Sequence, residues 1–465
     1  MSFRILLFAA ALASASVTSA WAANEDDLKE IRRQIEEIKS SYESRIQALE
    51  QRLKEAEARA TQAAQSQAVP PAPVMPAVPA STPSSPTGGG SVAAFNPAIS
   101  AILSGQYANF SQDPERFRLP GFLAGGDVGP GRRGFSLAES ELTFSANVDH
   151  KFAGTLTFSI APDNSVEVEE AFGILTAAPA GITPKFGRFL SAQGYLNEQH
   201  AHAWDFADAP LAYQAFFNGQ YKTDGVQLKW VAPLEHYVEL GAEAGNSDPF
   251  PGSARSKNGV GSSVVYARTG GDVGESHSWL AGLSLLQTRA QDRVSTVLDP
   301  SGEDTNVAFS GKSRVAVADF VWKYAPNGNA RVTNFKLQGE YLWRKEDGSL
   351  TPVAENMPIF AGDSPYKSRQ SGWYLQGIYQ FMPMWRAGLR YDRLDSGSVD
   401  YGGNPALLQA LDSAPKRASA MLDWSPSEFS RVRLQFSQVK TAGITDNEWF
   451  LQYILSLGAH GAHKY

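Results

Sequence analysis

From Phe95 to Tyr465 apolar and polar residues alternate in runs of about ten, the period-2 signature of strands with one apolar face. ELTFSANV (141–148), TDGVQLKW (223–230), NFKLQGEY (334–341) and RVRLQF (431–436) show it most plainly. The pattern predicts 16 strands, over 97–112, 138–148, 152–162, 166–177, 181–189, 223–232, 236–246, 260–270, 277–290, 311–326, 331–346, 368–383, 385–396, 416–425, 430–441 and 446–460.

The joins alternate in length. Short turns fall at 149–151, 178–180, 232–233, 325–328, 382–384 and 425–426. Longer connections fall at 113–137, 190–222, 247–259, 291–310, 347–367 and 397–415, with brief ones at 163–165 and 442–445 on the same side. An even strand count with long joins at one end and short ones at the other predicts a closed antiparallel transmembrane β-barrel whose ends lie on the short-turn side. Trp230, Trp322, Tyr324, Phe381, Trp385 and Trp424 gather at that side, as an interfacial girdle does. A soluble sandwich or solenoid has no reason to collect aromatics at one rim. The last predicted strand is rich in aromatic and leucine residues, and the final Tyr465 resembles the assembly signal of bacterial outer-membrane barrels.

Upstream the period changes. Leu28, Ile31, Ile35, Ile38, Tyr42, Ile46, Leu49 and Leu53 recur at steps of three and four, which predicts an α-helical coiled coil preceding the barrel. Isoleucine at both seam positions favours three or more strands, so a homotrimer is expected. Pro, Ala, Ser and Gly dominate the linker that follows. At the start, Arg4, the apolar run Ile5–Leu12 and Ala20-Trp21-Ala22 read as a secretory leader with its cleavage site. The expected division is therefore leader 1–22, coiled coil 23–64, linker 65–94 and barrel 95–465.

Composition narrows the function. No stretch reaches about 18 consecutive apolar residues, so no membrane helix is predicted. The absence of cysteine excludes a lipid-modified cysteine, disulfides and thiolate metal sites. With 41 basic and 48 acidic residues there is no basic footprint for nucleic acid. A mean hydropathy of −0.27 suits a barrel in which only alternate residues meet lipid. The expected place is the outer membrane of a Gram-negative bacterium, with the coil in the periplasm. At about 1.5 Å per residue the coil reaches roughly 60 Å, enough to contact peptidoglycan or periplasmic partners.

If apolar positions face lipid, the late strands turn Arg386, Arg390, Arg417, Arg431 and Arg433 inward, and the early ones turn Glu139, Glu141, Glu167 and Glu169 inward. Opposed charged walls of this kind select solutes. The third connection on the long-loop side, counting the brief 163–165, carries NEQHAHAWDF (197–206), with two of the seven histidines. His200 and His202 beside Glu198 and Asp205 offer nitrogen and oxygen ligands suited to zinc. A His-x-His in an extended loop is a weak motif, and a hydrogen-bonded pair is the commoner outcome. No cofactor is expected. His460 and His463 form a second weak pair. A barrel lipase or protease needs a nucleophile with a paired base. His277 has serines beside it, at Ser276 and Ser278, but neighbours along a strand point to opposite faces. No enzyme is expected.

VEEAFGIL (168–175) and PKFGRFL (184–190) resemble the phosphate-selective porin O/P-like group of outer-membrane porins, and the coil is similar to the periplasmic extension of sucrose-type porins. The resemblance implies a trimeric channel for small hydrophilic or ionic solutes. Its third loop folds into the lumen and carries Glu198, His200, His202, Asp205 and Asp208 to a constriction opposite the arginine wall. The lysine cluster of the phosphate-selective group has no counterpart here. Two further readings are a TonB-dependent or zinc-linked receptor and an envelope tether. The receptor calls for 22 strands around a plug, more than about 370 residues supply. The tether is compatible with a channel.

Overall fold

The computed structural model describes residues 97–126, 128–353, 363–410 and 414–458. The expected leader, coiled coil and linker, with His460, His463 and Tyr465, lie outside them. The described chain forms strands β1 (Ala98–Phe110), β2 (Gly134–Leu137), β3 (Ser140–Asn147), β4 (Phe152–Ile160), β5 (Val166–Leu175), β6 (Ile182–Leu190), β7 (Lys222–Val231), β8 (Tyr237–Gly245) and β9 (Ser262–Val273). It continues through β10 (His277–Leu298), β11 (Asp304–Tyr324), β12 (Asn334–Pro352), β13 (Ser364–Met382), β14 (Trp385–Asp400), β15 (Lys416–Ser427), β16 (Ser430–Thr441) and β17 (Ile444–Gly458).

The strands form one antiparallel sheet that closes on itself, with Ser100 opposite Gly458 and Phe110 opposite Glu448. β2 and β3 pair in succession with the same edge of β1, so together they make one stave, and the barrel has 16. Closure leaves no unpaired edge strand among the described residues. No helix among the described residues is long and apolar enough to cross a membrane, which does not bear on a barrel.

Alternate residues point out as predicted. Leu389 and Leu283 are 68% and 65% exposed, while Arg390 and Ser284, next to each, are buried. Aromatic pairs bound the exposed apolar band. Trp385 stacks on Trp424 and Trp322 lies against Phe335 near the short turns, while Tyr341 touches Trp343 and Trp373 touches Tyr391 farther up. Phe335 and Trp343 are separated by roughly 26 Å of strand at about 3.3 Å per residue, which is about 20 Å of height at the roughly 35–45° tilt of barrel strands, within a bilayer's apolar band of about 25 Å.

Two expected long loops are instead strand. The pairs β10–β11 and β12–β13 continue well past the aromatics, covering most of 291–310 and part of 347–367. There the pattern inverts: Lys345, Asp347, Lys367 and Arg369 face out, while Val297, Val307, Phe309, Leu350 and Tyr366 form an inner apolar cluster with Leu123 and Leu408. Alternation read as apolar-outward fails above the band because the outside is water and the inside is packed.

The inner packing comes from the loops. Residues 191–221 carry a seven-residue helix, α1 (Leu211–Phe217), buried on every side. Leu211, Tyr213, Phe216 and Phe217 meet inward residues of six staves, among them Val264, Leu286, Val317, Leu342, Tyr374 and Leu394. Burying each large apolar side chain contributes about 1.5–3 kcal/mol. Asn218, in the left-handed conformation at φ 55°, ends the helix. Leu119 and Phe122 of the first long loop join this cluster. Arg344 of β12 ties the two loops together, donating 2.9 Å to the Leu123 carbonyl and 3.0 Å to that of Ala215.

Candidate functional site

The third loop on the long-loop side crosses the barrel interior, and its polar residues divide between two walls. From Asp205 onward it climbs β14 in step. Asp205 meets Arg386 (3.0 Å), Asp208 meets Arg390 (2.7 Å), and the Leu211 amide donates to Asp392 (2.9 Å). Asp205 also pairs with Lys336 and accepts from Gln376 at 3.1 Å. Asp208 also pairs with Arg417 and accepts from Gln435 at 2.8 Å. Arg433 donates to the Trp204 carbonyl at 2.8 Å and binds Asp423 at 2.8 Å. Arg431 reaches the Trp204 carbonyl at 3.5 Å and lies 4.0 Å from Asp423.

All five predicted arginines thus face inward and meet one network. The two acidic loop residues touch them directly, where separated walls facing each other across water were expected. Burial pushes the carboxyl groups of Asp205 and Asp208 up. Lys336 and Arg386 for the first, and Arg390 and Arg417 for the second, more than cancel it and hold both below the usual carboxylate range.

On the opposite wall the loop presents His200 and His202 to β3 and β5. His200 Nδ1 lies 3.0 Å from Glu141 and 3.0 Å from Glu169, and its Nε2 lies 3.1 Å from Glu170. His202 Nδ1 lies 2.6 Å from the other oxygen of Glu141. Burial pushes the His200 imidazole down, and the surrounding carboxylates push it well above its ordinary value. Glu139, between β2 and β3, faces Glu141 and Glu169.

Two expected residues stand elsewhere. Glu167 is largely exposed at the rim, 3.3 Å from Lys222. The register of β4 with β5 shifts between Thr157 and Phe158, so Glu170 turns in beside Glu169. A bulge of this kind re-aims side chains and defeats parity. Glu198 is not beside the histidines. It pairs with Arg268, which also donates 3.0 Å to the Gly194 carbonyl.

Several site residues escaped the sequence reading. Glu340 accepts from the Leu196 amide (2.8 Å), Tyr213 (2.7 Å) and Tyr374 (2.8 Å). Glu243 accepts from Ser191 (2.6 Å) and the Ala192 amide (2.8 Å). Lys336, Glu340 and Arg344 sit on β12, where the same parity rule, extended beyond the late strands, would have found them; Arg268 shares its face of β9 with Val264 and Tyr266, and the rule misses it.

A closed barrel of 16 antiparallel staves, with an apolar exterior and charged interior, is the class of protein this fold defines. The chain belongs to the same family as an "Uncharacterized protein" of Aquifex aeolicus (strain VF5), to which it is 30% identical over 399 residues, covering 80% of each chain. No family model matches. Among solved structures the chain is similar to the outer membrane channel DcaP of Acinetobacter baumannii, at 14% identity and a TM-score of 0.47, over 78% of this chain and 97% of that one. It is also similar to the anion-selective porin from Comamonas acidovorans, at 11% identity and a TM-score of 0.45, over 78% and 99%.

Proposed function

We propose that the chain forms an outer-membrane channel through which small hydrophilic or ionic solutes diffuse, narrowed by its third external loop. The observation that carries this reading is the closed barrel itself: its exposed band is apolar and edged by aromatics, while its interior is lined with charge. In water such a band is a liability, whereas in lipid it is the favoured exterior. The constriction reading rests on Asp205 and Asp208, which hold the loop on the arginine wall, and on the histidines, which hold it on the glutamate wall. The isoleucine seam at 31–38 supports a homotrimer assembled by a periplasmic coil, with peptidoglycan within its reach.

Planar-bilayer recording of the refolded protein tests the reading. Discrete conductance steps with measurable ion selectivity are expected. A fully folded, inserted barrel that gives no steps overturns it.

A further inference from the structure

We propose that Glu141, His200 and His202 form a divalent-metal site of zinc type on the glutamate wall of the barrel. The sequence motif alone pairs the histidines with Glu198 and Asp205, but the fold gives those carboxylates to Arg268 and to Lys336 with Arg386. It supplies β3 and β5 carboxylates instead.

One ligand atom from each of Glu141, His200 and His202 lies within 4.8 Å of the other two. Four-coordinate zinc with bonds of about 2.0–2.2 Å needs neighbouring ligand atoms roughly 3.3 Å apart. Glu141 lies inside that spacing through its two oxygens, one 3.0 Å from His200 Nδ1 and the other 2.6 Å from His202 Nδ1, so small side-chain shifts bring the three to an ion. Glu169, 3.0 Å from the same His200 nitrogen, adds negative charge beside this group of three.

The second, independent observation is the far side of the His200 ring. Nε2 lies 3.1 Å from Glu170, which in turn accepts the Leu190 amide at 3.0 Å. A carboxylate that takes the N–H of one ring nitrogen and leaves the other to the ion is the usual support of a metal-bound histidine. A neutral imidazole carries one N–H, yet both nitrogens of His200 face carboxylates. The Nδ1 side is completed either by a second proton or by a divalent ion, and only the ion is shared with both Glu141 and His202. Four glutamates, at 139, 141, 169 and 170, gather here around two histidines. The site is also reachable, because His202 lines an open cavity with Ser425, Ser427 and Arg431 at the short-turn mouth.

Isothermal titration of the refolded full chain with Zn²⁺ tests this independently of conductance. One ion per chain is expected, undiminished by a hundredfold excess of Mg²⁺. His200→Ala with His202→Ala should abolish binding, and Glu170→Gln should weaken it about 10- to 100-fold by releasing the ring. Near-UV circular dichroism establishes that each variant is folded, and His202→Gln replaces the double variant if that one is not. Absence of Zn²⁺ binding by the wild type, or unchanged binding in the folded histidine variant, overturns the proposal.

Discussion

Asp205 and Arg386 lie 181 residues apart in the chain and 3.0 Å apart in the barrel. The contact joins the tip of a long loop to the foot of β14, near the short turns. It is repeated one step higher by Asp208 and Arg390.

Replacing Asp205 and Asp208 together by Asn should therefore do more than alter charge. Removing one member of a buried pair costs about 3–5 kcal/mol, because the other is left uncompensated. Arg386, Arg390 and Arg417 lose their carboxylate partners on the loop, while Arg390 and Arg417 keep the Asp208 and Ala209 carbonyls, so permeation should shift toward anions and conductance should rise as the loop loosens. Bilayer recordings check both. A variant with wild-type conductance and selectivity takes these residues out of the pathway.

The same contacts set a pH dependence. Asp205 faces Lys336, Arg386 and Asp423, and Asp208 faces Arg390, Arg417 and Glu448. Both carboxyl groups are depressed below the ordinary aspartate value of about 3.9. Their contribution is therefore present above about pH 4 and is lost as pH falls further through the folded-state values. Hydrogen exchange across 203–210 should be slow down to about pH 4 and accelerate below it. Acceleration already between pH 7 and 5 would contradict the assignment.

Upper anchoring depends on Glu340, which receives Leu196, Tyr213 and Tyr374. Tyr213→Phe removes one donor from a buried carboxylate and should loosen the loop by about 1–3 kcal/mol. Protease susceptibility within 191–221 should rise while the staves stay protected.

On the outer face, Leu389→Arg should cost roughly 2–4 kcal/mol at mid-band, whereas Leu389→Val should be nearly neutral. Chemical denaturation in lipid vesicles measures the difference. Equal tolerance would be fatal to the lipid-facing assignment of that residue.

Strand number, order and facing within the apolar band were legible in the sequence, because a closed barrel in lipid imposes one rule on every stave: alternate residues must be apolar. That rule placed Arg386, Arg390, Arg417, Arg431 and Arg433 inside, and it holds for all five. It failed where its physical cause is absent. Above the band the solvent is water, so β10–β13 run on with Lys345 and Asp347 outside and Phe309 and Leu350 inside, and their alternation carries the opposite sign. At β5 a one-residue bulge exchanged Glu167 for Glu170. Which carboxylate meets which cation had no local signal at all. Glu198 stands two residues from His200 yet pairs with Arg268, while Glu141, 59 positions earlier than His200, shares that histidine's ring nitrogen. Periodicity reports the solvent that each face meets; the partner of a loop side chain depends on where closure of the barrel brings distant staves, and only the tertiary structure decides that.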